Sequence, residues 1–173
     1  MIPRRKIEAL RKLADQLARK RVVLRQNGRA HINCKANHAA YLLEERGGGR
    51  LKPISYGENH MRPHRVMSMH AEKDALQNAR KHISPKGKKS YSLLVVKVSN
   101  ARKNFGLSNC CVRCQRDLLN SNIRISRVYF STPDGVGFEK GKPGQMRIHI
   151  CEMDRECGLC QNDEGDLEAA LAR

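Results

Sequence analysis

The sequence predicts an α/β protein in which a mixed sheet of about five strands lies between two layers of helices. Helical and extended patterns follow one another in the order helix, strand, strand, helix, strand, helix, strand, strand. The run Leu93-Leu94-Val95-Val96 is apolar on both faces, as a central strand should be. Only 4% of the residues are aromatic, so Leu, Ile, Val and Ala must build the core. Elements in this order form three-layer α/β/α sandwiches.

The first elements are a basic helix and a hairpin. Apolar residues at helical spacing predict an amphipathic helix that ends near Gly28 and has a basic outer face: Ile7, Leu10, Ala14 and Leu17. Two short apolar segments, at 39–43 and 51–56, flank the turn Gly47-Gly48-Gly49. They are typical of an antiparallel hairpin.

The second half of the chain supplies the remaining elements. Ser68 is a candidate cap for a helix that Pro85 and Gly87 terminate. The turn signals between Thr132 and Gly144 predict a long loop without a helix. The other segments follow from the same patterns: a central strand at 91–98, a helix at 111–120, a strand at 123–130 and a final strand at 145–151.

Length and charge divide the chain into three regions. Its 173 residues suit one domain with a sizeable core. Residues 1–28 form the basic N-terminal helix, 29–151 the core, and 152–173 an acidic C-terminal tail. The tail contains seven acids and two arginines, whereas the whole chain has a net charge of +17.

That net charge predicts a polyanionic partner. A small-molecule enzyme would repel itself at +17 without any benefit. Phosphate backbones attract such a surface, so we expect nucleic acid as the partner, RNA rather than DNA. The alternative is a charged surface that serves only solubility.

The compartment follows from the cysteines and from the absence of apolar segments. No apolar run approaches the length of a membrane span, and the basic N-terminus lacks the apolar centre of a signal peptide. Seven cysteines, an odd number, favour reduced thiols and bound metal over disulfides. We therefore expect an intracellular protein of a reducing compartment, cytoplasm or nucleus, with no membrane partner.

The residues with the clearest chemistry are His70, Glu72, Cys111 and Cys114. One imidazole and two thiolates fill three positions of a zinc ion and leave the fourth to water, as in catalytic sites. Zinc lowers the pKa of bound water to about 7, and a carboxylate beside it can shuttle protons. Cys111 and Cys114 lie on one side of a helix's first turn, and His70 begins another helix. The strand at 91–98 between those helices brings their N-termini together.

His-x-Glu followed by Cys-x-x-Cys resembles the signature of the zinc-dependent cytidine and deoxycytidylate deaminase superfamily. The order of elements is similar to that family's core over residues 39–151. The resemblance implies that His70, Cys111 and Cys114 bind one catalytic zinc and that Glu72 shuttles protons. It also implies hydrolytic removal of the amino group from cytosine or adenine.

The same resemblance implies the substrate contacts. Asn59, in Gly57-Glu58-Asn59, stands where the family's asparagine contacts the nucleotide. A backbone carbonyl of Ser108 or Asn109 would accept a hydrogen bond from the substrate amino group. The chain departs from the family at Cys110, since proline usually precedes the first cysteine ligand. This exchange adds a thiol that could act as a wrong ligand.

Two interpretations of the substrate remain open. Strands at 123–130 and 145–151 without a helix between them would form an antiparallel hairpin. That arrangement is typical of family members that act on free nucleosides. The charge instead favours a base within RNA or DNA, because a free substrate does not require +17.

A second metal site is a further candidate. His149 and Cys151 lie two apart on the last predicted strand, hence on one face. Together with Cys157 and Cys160 they would complete a closed, structural zinc site that holds the tail. The alternative is that these are free thiols in a mobile end.

The overall prediction is a zinc-dependent deaminase that acts on a base within RNA or DNA. The competing hypothesis is a protein with the same fold and zinc but without turnover, which has a structural or RNA-binding role in a nucleic-acid-containing assembly. We expect the chain to form a homo-oligomer or to join such an assembly.

Overall fold

The computed structural model describes residues 2–26, 38–61, 68–83, 89–98, 105–132 and 137–146. These residues form three helices and a main sheet, in the predicted order with three short two-residue strands added. The elements in chain order are α1 (Arg4–Gln26), β1 (His38–Arg46), β2 (Arg50–Glu58), β3 (His60–Met61), β4 (Ser68–Met69), α2 (Ala71–Ala79), β5 (Tyr91–Val98), β6 (Phe105–Gly106), α3 (Val112–Leu119), β7 (Ile125–Ser131) and β8 (Phe138–Gly141).

The main sheet is mixed, with the strand order β2-β1-β5-β7-β8 and the short β6 paired to β5. Strands β1 and β2 form the predicted hairpin around a turn at Gly47–Gly49. Strand β5 is antiparallel to β1 and parallel to β7. The crossover between β5 and β7 contains α3, as a parallel pair requires.

Helices cover both faces of the sheet. Helix α1 packs on one face through four buried residues, in a cluster that also includes Leu94 and Val96 of β5. Helices α2 and α3 pack on the other face, against Leu93 and Val95. The alternation of neighbouring β5 residues between the two clusters follows from the pleat of a strand. The fold is therefore the predicted three-layer α/β/α sandwich.

Helix α2 lies very close to β2 because of Gly57. A methyl group added at Gly57 would overlap the backbone nitrogen of Ala75 and the carbonyl oxygen of Ala71. Nearby, the Ser55 hydroxyl donates a hydrogen bond to the Ala75 carbonyl at 2.7 Å. Only glycine permits this approach, which also sets the distance between the start of α2 and the edge of the sheet.

We expect Gly57→Ala to destabilise the fold by about 3 kcal/mol, because the added carbon meets backbone that cannot rotate away. Urea denaturation would measure the loss. Gly47→Ala is the matched control. Its added carbon would have no atom within 4 Å, so its effect should stay within about 0.5 kcal/mol. Equal stability of the two variants would contradict the close packing.

A polar cluster fastens α1 to the sheet. Lys6, with only 9% of its surface exposed, donates a hydrogen bond to Glu45 at 2.7 Å. Ser92 and Tyr129 also donate to this carboxylate, and the Lys6 ammonium lies 5.0 Å from the centre of the Tyr129 ring. Burial opposes ionisation of Glu45, but the hydrogen bonds from Lys6 and Ser92 outweigh it and lower the pKa of this carboxyl.

This cluster predicts a pH effect on stability. Because the pKa of Glu45 is lowered on folding, its contribution is present above about pH 4.5 and is lost as pH falls through the lower folded value. We expect Glu45→Gln to cost about 1–3 kcal/mol at neutral pH, since Lys6 loses its partner. The variant should also show a shallower loss of stability below pH 4.5 than the native chain. Denaturation curves across pH test both points, and an unchanged acid slope would contradict them.

The structure corrects two sequence-based boundaries. Ser68 does not cap α2 but pairs in β4, and the helix starts at Ala71 with His70 as its cap residue. The predicted long loop contains a strand, β8, which pairs antiparallel with β7. Beside this pair, the Thr132 amide donates a hydrogen bond to the Gly137 carbonyl at 3.2 Å. The final strand predicted at 145–151 falls mostly outside the described residues and stays a prediction. None of the helices in the described part of the chain combines the length and apolarity needed to cross a bilayer.

Candidate metal centre and active site

The candidate site lies at one edge of the sheet, where α2 and α3 begin. His70 is the cap residue of α2 and Cys111 is the cap residue of α3, both with extended backbone. Their carbonyls accept the first helical hydrogen bonds, from Asp74 at 3.0 Å and from Gln115 at 2.9 Å. This confirms the predicted meeting of two helix N-termini. The positive ends of both helices thus face the same point, which favours thiolate there.

Three potential ligand atoms converge at this point. The Nδ1 atom of His70 lies 3.4 Å from the Cys111 sulfur and 3.2 Å from the Cys114 sulfur. All three atoms lie within 4.8 Å of one another. Tetrahedral zinc, with bonds of about 2.0–2.3 Å, needs such atoms about 3.5–3.8 Å apart. The donor set therefore fits zinc, and the two nitrogen–sulfur distances differ from this spacing by a few tenths of an ångström.

The two thiols share a proton. Hydrogen bonding from Cys114, together with that from His70, lowers the pKa of Cys111 to about 6 against the effect of burial. The same contact with Cys111, together with burial, raises the pKa of Cys114 well above its usual value. Metal ligation needs both as thiolates. A cation at this point would take the place of the shared proton.

Glu72 lies beside the cluster, in the first turn of α2, with 6% of its surface exposed. Cys110 faces it from the start of α3. Burial raises the pKa of the Cys110 thiol well above its usual value, and the charge of the Glu72 carboxylate adds to the rise. Cys110 is thus a protonated neighbour of Glu72 and lies outside the group of converging ligand atoms.

The loop before α3 is fixed by buried polar contacts. The Ser108 hydroxyl donates to the Val95 carbonyl at 2.7 Å and contacts the Ser131 hydroxyl at 2.9 Å. The Gln115 side chain, fully buried, donates to the Cys110 carbonyl at 3.2 Å. Sequence analysis missed Gln115 as a support for this loop. Its signal was a polar residue at an inward position of an amphipathic helix.

Asn59 lies at the same edge of the sheet. It follows β2, with 3% of its surface exposed, and its side-chain oxygen accepts a hydrogen bond from the His38 amide at 2.8 Å. His38 pairs with Lys97 near the end of β5, the end at which α2 and α3 begin. The structure thus places Asn59, Ser108 and the half-buried Asn109 at the site edge, where their substrate roles stay predictions.

The second metal site lies outside the described residues. Its four predicted ligands are His149, Cys151, Cys157 and Cys160. The acidic tail, from residue 152 onward, lies outside them as well. Both therefore remain predictions from sequence.

Comparison with known proteins supports the fold. No protein-family model matches the sequence, and a search of curated proteins finds no match. Among solved structures, the cytidine deaminase of Burkholderia pseudomallei matches with a TM-score of 0.50 and 17% identity, over 75% of this chain and 91% of that one. The cytidine deaminase of Mycobacterium leprae has a TM-score of 0.39 and 18% identity, over 73% and 91%. The first match confirms the fold that the motif predicted: the chain has the cytidine deaminase fold.

Proposed function

We propose that this protein is a zinc-dependent hydrolytic deaminase that acts on cytosine or adenine within a polynucleotide. The observation that carries the proposal is the convergence of His70, Cys111 and Cys114 with the buried carboxylate of Glu72 beside them. Three ligand atoms leave one position of a tetrahedral ion for water, which is the arrangement of catalytic rather than structural zinc.

Each of these residues has a distinct task in the reaction. His70, Cys111 and Cys114 would hold the ion, which when bound would supply an acidic water at neutral pH. Glu72 would accept one proton of that water and donate it to the ring nitrogen as the oxygen adds to the ring carbon. It would then transfer the second proton, from the added hydroxyl, to the amino group, which leaves as ammonia while the carbonyl forms, since an amine leaves poorly while unprotonated.

The position of Glu72 suits this task. Glu72 lies in the first turn of α2, two residues after His70, with 6% of its surface exposed. Cys110, where the family usually has proline, is buried and lies outside the converging ligand atoms.

Three residues would bind the base and sugar. Asn59 lies at the site edge and is held in place by the His38 amide at 2.8 Å. The hydroxyl and amide nitrogen of Ser108 are both used within the sheet, so its carbonyl is the group left for the substrate amino group. The carbonyl of Asn109 is the neighbouring candidate for the same contact.

The net charge supports a polynucleotide substrate over a free nucleotide. A mononucleotide has few negative charges, whereas a strand presents one phosphate per residue to a chain of net charge +17. RNA is the better candidate, because its loops expose unpaired bases, while a base in duplex DNA must first leave the stack.

The test is ammonia release by the zinc-loaded protein from cytidine, dCMP, adenosine and single-stranded RNA. We expect RNA to be preferred, with a kcat/KM that falls steeply as salt increases, because binding releases counterions. Equal turnover of mononucleotides without salt dependence would instead indicate a free-nucleotide deaminase. No turnover of any substrate would favour the non-catalytic, RNA-binding alternative.

A further inference from the structure

The outer face of α1 is strongly basic and separate from the zinc cluster. Over residues 4–20, where its side chains are described, the inner face of this helix is buried against the sheet through Leu10, Leu13, Ala14 and Leu17. The exposed side chains described on its outer face include six cations and two acids: Arg4, Arg5, Arg11, Lys12, Arg19 and Lys20 with Glu8 and Asp15.

Three of these cations form a row, which we call the α1 row: Arg5, Lys12 and Arg19. They are spaced seven residues apart, so they share one side of the helix and follow one another at intervals of about 10 Å. All three are exposed, and none has an ion pair with a described residue. By contrast, Arg4 contacts Glu8 at 3.6 Å and Lys20 lies 4.0 Å from the centre of the Tyr56 ring.

Folding stability accounts for Lys6, which bonds to Glu45, but not for the exposed cations of the row. The first turn of α1 contains Arg4, Arg5 and Lys6 and no acid. Cations at the positive end of a helix are unfavourable, typically by a few tenths of a kcal/mol each. An external polyanion would remove this penalty, because its phosphates interact with the arginines and with the helix end alike.

The direction of α1 leads the row toward the active site. Near its start, Lys6 contacts Glu45 at the far end of β1. Near residue 20, the helix reaches Tyr56, which pairs with Tyr41 in the half of the hairpin that ends at the site edge. The row lies on the opposite face of the sheet from α2 and α3. A strand bound along it would therefore run toward the site edge without filling the metal centre.

We propose that the α1 row is a docking surface for single-stranded RNA and that its side chains contact the phosphates of the RNA backbone. This inference deepens the proposed function, on which it rests, by giving the RNA substrate a second contact away from Glu72. Arginine and lysine in a regular row fit a regularly charged strand. The base to be deaminated must be unpaired, which favours a single strand over a duplex.

Two other polyanionic partners fit the surface less well. An anionic membrane usually holds a basic amphipathic helix by its apolar face, but that face of α1 is buried in the core. An acidic protein partner would be expected to present basic groups as well, which would pair with Glu8 and Asp15. The regular spacing of cations alone is a feature of phosphate contacts.

The test compares two triple variants in RNA binding, measured by fluorescence anisotropy with a labelled RNA of about 20 nucleotides. The first replaces Arg5, Lys12 and Arg19 with Gln, which preserves helix propensity. The matched control replaces three exposed cations elsewhere with Gln: Lys52, Arg124 and Lys142. Both variants lose the same charge. Circular dichroism and thermal unfolding would verify that each remains folded.

We expect the first variant to lose about 100-fold in affinity at 0.1 M salt, and its salt slope to decrease by about 2, as three lost phosphate contacts require. The control should change affinity by less than about 3-fold. Equal losses of RNA affinity in both variants would contradict the α1 row as the docking surface. Tighter binding of duplex RNA than of single-stranded RNA would contradict it as well. Loss of binding to phosphatidylserine vesicles with RNA affinity intact would assign the surface to membranes instead.

RNA binding is measured without turnover, so the two proposals fail separately. If RNA binds along α1 but no substrate is deaminated, the docking surface stands and the enzymatic proposal fails. If RNA is deaminated while the α1 row variant binds RNA normally, the enzymatic proposal stands and the docking surface fails.

Discussion

Glu72→Gln is expected to reduce the deamination rate by about 10³-fold while leaving zinc content and thermal stability close to those of the native chain. The amide occupies the same space but cannot accept the water proton or return it to the base, and positioned proton transfer of this kind is typically worth 10²–10⁴-fold. The loss should appear in kcat more than in KM, because the carboxylate acts on the reacting atoms. Ammonia release under saturating substrate is the measurement.

A matched control separates this effect from a general loss of charge. Glu139 on β8 is exposed, so Glu139→Gln should retain full activity. If Glu72→Gln retained more than about a tenth of the native rate, Glu72 would not be the proton shuttle. Another group would then have to perform that task.

Cys111→Ser is expected to lower zinc content by one ion per chain. A serine hydroxyl is a poor ligand for zinc, and the remaining pair, His70 and Cys114, cannot hold the ion tightly. Because the difference between variant and native chain is measured, the result does not depend on whether the tail binds a second ion. Elemental analysis of both proteins gives the answer.

The same substitution should lower stability in the presence of zinc. An ion at 100 times its dissociation constant adds about 2.7 kcal/mol, which its loss would remove. In a domain of this size that corresponds to a decrease in Tm of about 5–10 °C. Addition of a chelator to the native chain should lower Tm by a similar amount.

Cys110→Ser is the control for the ligand set. The Cys110 thiol is buried and lies outside the converging ligand atoms, so this variant should retain its zinc. Loss of zinc in Cys110→Ser, together with retention in Cys111→Ser, would show that the wrong cysteine had been assigned as ligand.

Much of the fold could be predicted because its elements have strong local signals. The apolar run in β5 and the three consecutive glycines of the hairpin turn are independent of distant contacts. The start of α2 was wrong by three residues, since Ser68 resembles a cap but is used in pairing with Met61. Strand β8 was missed because Phe138 is the only large apolar residue in Phe138–Gly141.

For the candidate site, the sequence predicted the metal ligands but not the contacts that support them. The metal ligands could be predicted because their residue types suit zinc. Their spacing also indicates that the two helices start at one edge of the sheet. The support that Gln115 gives to the Cys110 carbonyl depends on tertiary contacts. The close approach at Gly57 is likewise visible only once α2 lies against β2. No pattern along the chain encodes which side chains meet across two layers.

A crystal structure of the zinc-loaded protein, with anomalous scattering recorded at the zinc edge, would show whether His70, Cys111 and Cys114 hold a catalytic zinc ion. We expect a peak bonded to Nδ1 of His70 and to the sulfurs of Cys111 and Cys114, at about 2.0–2.3 Å, with water as the fourth ligand. A fourth ligand from the protein, such as Cys110, or side chains that point away from one another, would contradict it.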